Sequence, residues 1–450
     1  MATVVTHIKP TPNKKPLSPR YDHNEVDMNR VAAIVLGGGQ GSRLFPLTLT
    51  RCKPAITFGG KYRLIDVPIS NSLNSFCHKI FVVTQFLSTS LHHHIHRTYR
   101  LDGFSSGFIE ILTAEQKPYT NSWFQGTADA VRQNLDYFVD TPADYFLILS
   151  GDQLYHLNFQ EMMRVALTTE ADVVVAAQPV DEAHAKRMGL LKVNVNDRVT
   201  DFVEKPQEKE VLDQFTAPLS ILERANVSAK SGRNYLGSMG IYLFKRETLL
   251  NLLLEDNRDD FGKHLIPNHV ENGHVAAYIH NSYWEDIGTI DAFHQANIEL
   301  TSPYPAFNCY AEDFPIFTDH EALPSPKILG GRLDQSIICE GAIVDAEEIA
   351  HSIIGPRTVV RKGSVIERTY IMGNDFYTPP SHNPRYPQEV VIEENCIIQN
   401  AIIDKNVHLG KGVRLINARK LTNFDSEKLY VRDGIIVIPR GVSLPDGFVF

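Results

Sequence analysis

The sequence predicts an α/β protein in two parts, a mostly parallel sheet wrapped by helices and then a left-handed parallel β-helix. Up to about residue 301, short aliphatic strands alternate with amphipathic helices, and a glycine-rich turn follows the first strand. Beyond residue 326, Ile or Val recurs at about six-residue intervals, the pattern of a hexapeptide coil. At 450 residues the chain also exceeds the size at which one core keeps growing, so two domains are expected.

Val31 to Leu36 reads as a buried parallel strand, too short and too β-branched for a helix of its own. After a turn and a polar amphipathic helix (59–75), strands are expected at 79–86, 108–114, 145–152 and 172–180, with helices near 87–98, 127–139 and 158–169. Helices of that length between strands imply right-handed βαβ crossovers, which place a ligand at the carboxyl ends of the strands. The first domain is thus bounded at 30–301. Residues 302–326 are Pro-rich and aperiodic, as a linker lying on a surface would be. Residues 327–450 form the coil, broken by an insertion at 374–388. Residues 1–29 lack the apolar stretch of a leader peptide and read as a flexible tail.

Composition narrows the function. With 43% hydrophobic and 22% charged residues the chain is ordinary for a globular protein, and no run of 18 apolar residues suggests a membrane span. A net charge of −9 argues against nucleic acid as a partner, so anionic ligands must be met by local Lys and Arg. The five cysteines are odd in number and lack CxxC spacing, which suits a reducing, cytoplasmic setting without a disulfide frame or zinc. In LHHHIH (91–96), His92 and His96 have ligand spacing, but Arg97 and Arg100 follow and no Cys or carboxylate is nearby. A solvated helix face is the expectation there.

Chemistry concentrates in four stretches. Residues 31–54, VAAIVLGGGQGSRLFPLTLTRCKP, carry Gly37, Gly38, Gly39 and Gly41 directly after a strand, followed by Ser42 and Arg43, with Lys53 further on. Glycines let backbone N–H groups converge on one anion, while a guanidinium fork and an ammonium suit phosphate oxygens. This looks like a triphosphate cradle. A P-loop is excluded because no Lys-Ser or Lys-Thr follows, and a dinucleotide fingerprint because Leu44 stands where a third small residue belongs. Asp152 ends a buried strand beside Gly151, and Asp286 stands in YWEDIGT. Two such carboxylates beside a phosphate loop favour a shared Mg²⁺. Trp123, Phe124 and Gln125 precede Gly126 and Thr127 at a helix start, offering a base both a stacking surface and backbone donors. Finally, FVEKP ends a strand with Glu204, Lys205 and Pro206. A nucleoside triphosphate, Mg²⁺ and a phosphorylated partner on an α/β sheet is as far as the residues alone reach.

The pattern GGxG[ST]RLxPLT followed by KP resembles the signature of sugar-1-phosphate nucleotidyltransferases. SWFQGTADAV (122–131) is similar to the motif of the glucose-1-phosphate adenylyltransferases, the ADP-glucose pyrophosphorylases. The resemblance runs through residues 31–450. It implies a Rossmann-like (GT-A type) domain that transfers AMP from ATP to glucose 1-phosphate with Mg²⁺. It also implies a role in glycogen or starch synthesis, a homotetramer and control by a small anionic effector. In that family Arg43, Lys53 and Asp152 would be catalytic, and Asp152 and Asp286 would hold the metal. Nucleotide contacts would come from Gly38, Gly39, Gly41, Ser42, Gln116, Gly126 and Thr127. The sugar phosphate would meet Phe124, Gly189, Glu204, Lys205, Ser238 and Asp260, and the effector Lys405 and Arg440. Phe124 replaces the Tyr of many bacterial members, and Thr50 the Lys that some enteric members use for a sugar-bisphosphate activator. The alternatives are a guanylyl- or uridylyltransferase, or a regulatory subunit of a hetero-oligomeric enzyme.

Overall fold

The computed structural model describes residues 26–450 except 103–105, 116–122, 229–230, 381–386 and 388. Most of the expected tail and Gln116 therefore lie outside the described residues.

Val31–Leu36 is the hub of the first sheet. It pairs in parallel with Lys79–Thr84 on one side and Tyr145–Ser150 on the other, and Phe108–Thr113 extends the sheet beyond Lys79–Thr84. These strands are almost fully apolar, as burial on both faces requires. The long Tyr235–Lys245 strand runs antiparallel between Tyr145–Ser150 and Val173–Val180. Val275–Ile279 continues the sheet in parallel with Val173–Val180. The hairpin Gly189–Val193 and Val199–Glu204 closes the far edge. The register of Tyr235–Lys245 slips between Ser238 and Tyr242, where Gly240 adopts φ +69°, so the strand carries a bulge.

The helix expected over 127–139 is two helices, Thr127–Arg132 and Leu135–Asp140. Asn134 separates them. Its side-chain amide donates to the Ala130 carbonyl at 2.8 Å and so competes with the backbone ladder, a habit that makes Asn a poor helix-interior residue. The expected solvated face of Thr89–Thr98 is there, but the other side of the helix is packed. His94 is buried and its Nε2 donates to Asp66, which in addition accepts from Tyr99 Oη at 2.7 Å and from Thr318 Oγ1 at 2.7 Å. His92 meets Thr84 Oγ1 at 2.8 Å. Only His93 and His96 face water. Through Thr318 the same carboxylate ties down the stretch after residue 302, whose Phe307 and Ile316 are buried.

From Lys327 onward the strands stack in parallel. Ile337 lies beside Ile353, and Ile353 beside Tyr370, steps of 16 and 17 residues. The next step, Tyr370 to Ile402, is 32 residues because the insertion at 374–388 intervenes. A second insertion, the hairpin Asn423–Asp425 and Tyr430–Arg432, lengthens the step from Ile402 to Val437 and was not visible in the periodicity. Inward-facing Ile349, Ile354, Ile366, Ile398 and Leu409 fill the coil.

One outer face of the coil is apolar as well and joins the core of the first domain through Ile353, Tyr370, Met372, Ile402 and Val437. Tyr370 Oη donates to the Thr57 carbonyl at 3.0 Å, and His294 Nε2 donates to the Arg368 carbonyl at 2.8 Å. Among the described residues, no helix is long and apolar enough to cross a membrane.

Candidate active site

A cavity of about 1370 Å³ opens at the carboxyl ends of the parallel strands, bounded by the glycine loop on one side and by Glu204 and Lys205 on the other. Gly38 and Gly39 line it. Gly41 and Ser42 do not. Gly41 is left-handed at φ +63°, and a Cβ there would stand 3.0 Å from both Lys53 Cβ and Thr48 Cγ2. Its function is therefore to let the loop turn tightly over the Lys53 stem, while Ser42 begins the short turn that carries Arg43. Arg43 lines the cavity, its guanidinium beside Gly288 and Asp286.

Lys53 takes a different place from the expected one. Only 7% exposed, it directs its ammonium to Asp152 Oδ2 at 2.5 Å and Asp286 Oδ1 at 3.4 Å, rather than toward the cavity. Antiparallel pairing of Trp284–Asp286 with Gln153–Tyr155 places Asp286 opposite Gln153, which brings the two carboxylates together. Ser150 Oγ donates to Asp152 Oδ1. Burial alone would lift the Asp152 carboxyl, but the charges and hydrogen bonds from Lys53, Ser150 and Arg43 hold it below the ordinary range. Asp286, desolvated and repelled by Asp152, is held above it. Lys53 is raised, its desolvation outweighed by the two carboxylates.

Two oxygen-donor side chains meeting at one point beside a cavity fit Mg²⁺, which takes one or two carboxylates and completes its shell with water and phosphate oxygens. Among the described residues, no cluster of three His, Cys, Asp or Glu is formed, so this pair would share its ion with a ligand.

The aromatic loop has committed four of its backbone donors to the fold. The N–H of Phe124 donates to Gln85 Oε1, that of Gln125 to Asp129 Oδ2 at 2.9 Å, and those of Ala128 and Asp129 to the Asp259 carbonyl. Thr127 Oγ1 accepts from the N–H of Phe261 at 3.1 Å. Gly126 packs so closely that a Cβ would lie 2.3 Å from the Asp259 oxygen. Gly126 and Thr127, whose N–H groups none of these bonds uses, line the cavity together with the stacking surface. Trp123 is 57% exposed and stacked on Phe86 at 5.8 Å, and Phe124 also lines the cavity.

Across the cavity the sequence-predicted residues do converge. Gly189 pairs with Glu204, and a Cβ on Gly189 would come within 2.7 Å of Glu204 Oε2 and 2.5 Å of Phe202 Cζ. Lys205 sits at the mouth in a left-handed conformation, its N–H on the Met188 carbonyl and its ammonium 3.2 Å from Glu204 Oε1. Tyr242 Oη, Asp260 Oδ1 and Glu204 Oε2 all surround Gly262, with Ser238 on the same strand as Tyr242. Asp260 Oδ1 also accepts from the N–H of Lys263, so one of its oxygens is committed to the fold.

Sequence reasoning missed Tyr242, Gln85, Phe86 and Ser150. Gln85, Phe86 and Ser150 stand at or just beyond strand carboxyl ends, and that position was the available signal. Tyr242 follows the bulge, which no residue pattern announced.

Lys405 and Arg440 lie together in a second cavity of about 350 Å³ between the two parts of the chain, beside Arg51, Arg63 and His93. They are not free cations. Asp375, at the start of the first insertion, meets Lys405 Nζ at 2.9 Å and Arg440 Nη2 at 2.5 Å.

Comparison with known families matches residues 32–302 to the nucleotidyl transferase family and residues 321–449 to the GLGC left-handed parallel beta-helix domain. The chain therefore belongs to the nucleotidyl transferase family, in the two-domain architecture that marks the glucose-1-phosphate adenylyltransferases.

Proposed function

We propose that this enzyme transfers the AMP group of ATP to α-D-glucose 1-phosphate, releasing pyrophosphate and forming ADP-glucose for α-glucan synthesis. The observation that carries the reading is the Asp152–Lys53–Asp286 cluster at the strand ends, set between the glycine loop and the Glu204–Lys205 pocket. A phosphate oxygen of the sugar attacks the α-phosphorus of ATP. The new O–P bond forms as the bond to the β-phosphate oxygen breaks, and the electron pair leaves with pyrophosphate. The attacking phosphate is already ionised, so no protein base is needed, and positioning plus electrostatics supply the rate.

Asp152 and Asp286 would hold Mg²⁺, which when bound neutralises phosphate charge. Arg43 faces the β- and γ-phosphates, Trp123 offers its ring to the base, and Lys205 meets the phosphate of the sugar. Glu204, Ser238, Tyr242 and Asp260 are polar partners for the glucose hydroxyls, and a buried partner left unpaired penalises the wrong epimer.

Pyrophosphate release measured with ATP, GTP, CTP and UTP against a panel of sugar 1-phosphates tests the assignment. ATP with glucose 1-phosphate should be turned over far faster than any other pair. Equal or faster turnover with GTP or UTP overturns the choice of nucleotide.

The junction cavity supports a regulatory reading in which a small phosphorylated metabolite displaces Asp375 from Lys405 and Arg440. The link to the active site is short. Asp404, the neighbour of Lys405, holds Arg51, and Arg51 lies two residues before Lys53.

A further inference from the structure

Two neighbouring, half-buried carboxylates repel each other, and a cation between them relieves the repulsion. Here that cation is part of the chain. The Lys53 ammonium stands between Asp152 and Asp286, the two residues assigned above to Mg²⁺. We propose that Lys53 is a place-holder for the metal: it keeps the two carboxylates together in the free enzyme, and a divalent cation must displace it to bind. The inference rests on the Mg²⁺ assignment and adds a competitor to it.

The geometry makes this arrangement movable. The Lys53 stem is pinned beneath the glycine loop, since a Cβ at Gly41 would lie 3.0 Å from its Cβ and 3.8 Å from its Cδ. The ammonium hangs beyond that clamp on the last rotatable bonds of a flexible side chain. A small rotation carries it from the carboxylates toward the cavity that Gly38 and Gly39 line, where a triphosphate would receive it. Without that rotation a divalent ion would sit directly against a fixed positive charge. Arg43 shares this field without sharing the role. Its guanidinium nitrogens lie near Gly288, beside Asp286, but form an ion pair with neither carboxylate.

Arg43 therefore serves as the control for charge alone. Mn²⁺ binding to the full-length, nucleotide-free protein can be followed by electron paramagnetic resonance for the parent, Lys53→Met, Arg43→Met and each combination of Lys53→Met with Asp152→Asn or Asp286→Asn. Removing the place-holder should tighten Mn²⁺ binding at least tenfold, whereas Arg43→Met should change it less than threefold. Lys53→Gln, which keeps a hydrogen-bonding group without the charge, should tighten it in the same direction and covers the case in which Lys53→Met does not fold. Equal shifts in the Lys53 and Arg43 variants, or unchanged or weaker binding after loss of Lys53, would overturn the place-holder while leaving the metal site standing. Mn²⁺ binding that survives both carboxylate substitutions would overturn the metal assignment, and the place-holder with it.

Discussion

Replacing Asp404 by Asn should destabilise the protein by about 3–5 kcal/mol, because it leaves a charged guanidinium buried without its counter-ion. Arg51 is 4% exposed and Asp404 2%, and Arg51 Nη2 contacts both carboxylate oxygens. The other donors of the guanidinium have little to fall back on. Nη1 lies 4.0 Å from the Met372 sulfur, and Nε is buried without a partner. Asn preserves shape and retains an acceptor for the N–H of Lys405, now at 2.6 Å from Asp404 Oδ1, so the change removes charge and little else.

The pair joins the β-helix to the stretch that carries Lys53, so the loss should appear first as loosening of that joint. Guanidinium-chloride unfolding followed by tryptophan fluorescence (Trp123 and Trp284 both stand in the first domain) and by circular dichroism reads the two parts separately. The fluorescence midpoint should fall, and the KM for ATP should rise with it. The double variant Arg51→Met with Asp404→Leu removes both charges and should recover to within about 1 kcal/mol of the parent, since well-packed apolar replacements of a buried pair are often neutral. An unchanged midpoint in Asp404→Asn, or a double variant as weak as the single, would refute the reasoning.

Asp152→Asn should keep the circular-dichroism spectrum and lower turnover by about 10²–10³-fold, measured at saturating Mg²⁺; activity within tenfold of the parent would sink its metal role. Lys205→Ala should raise the KM for glucose 1-phosphate far more than that for ATP, as expected of a group that binds ground and transition states alike. When 3-phosphoglycerate and fructose bisphosphate are titrated in turn, at least one phosphorylated metabolite should activate the parent by shifting apparent substrate affinity roughly 5–150-fold, and the Lys405→Ala, Arg440→Ala double variant should lose that response. Burial pushes His294 down from 6.5 to about 4. Between those values the unfolded chain binds a proton that the folded protein does not, so stability is complete above pH 6.5 and is lost as pH falls toward 4. His294 then contributes a loss of roughly 3 kcal/mol, with His280 acting in the same direction. Unfolding midpoints across that range should be flatter in His294→Gln, and an unchanged slope would exclude the histidine.

Patterns repeated along the chain determined the architecture. The run Val31–Leu36 into glycines, the spacing of strands by helices and the six-residue return of Ile and Val each report burial within a few residues, so the parallel sheet and the coil could be read locally. The helix break at Asn134 and the second insertion escaped that reading, because side-chain competition and added loops leave no period. Residue types also located the site. Gly38, Gly39, Arg43, Asp152, Glu204, Lys205, Ser238, Asp260 and Asp286 do line one cavity.

How those groups are paired was decided by the tertiary structure. Lys53 turns to Asp152 and Asp286, residues far along the chain, because a buried ammonium takes the carboxylates that strand pairing brings to it. The Asp259 carbonyl takes the N–H groups of Ala128 and Asp129 in the helix's first turn, and Asp375 neutralises Lys405 and Arg440. Each of these partners comes from a separate segment of the chain. Hydrophobic burial follows an averaged pattern that a sequence can carry, whereas an ion pair or hydrogen bond depends on a few ångströms between particular atoms, and only the folded chain sets that distance.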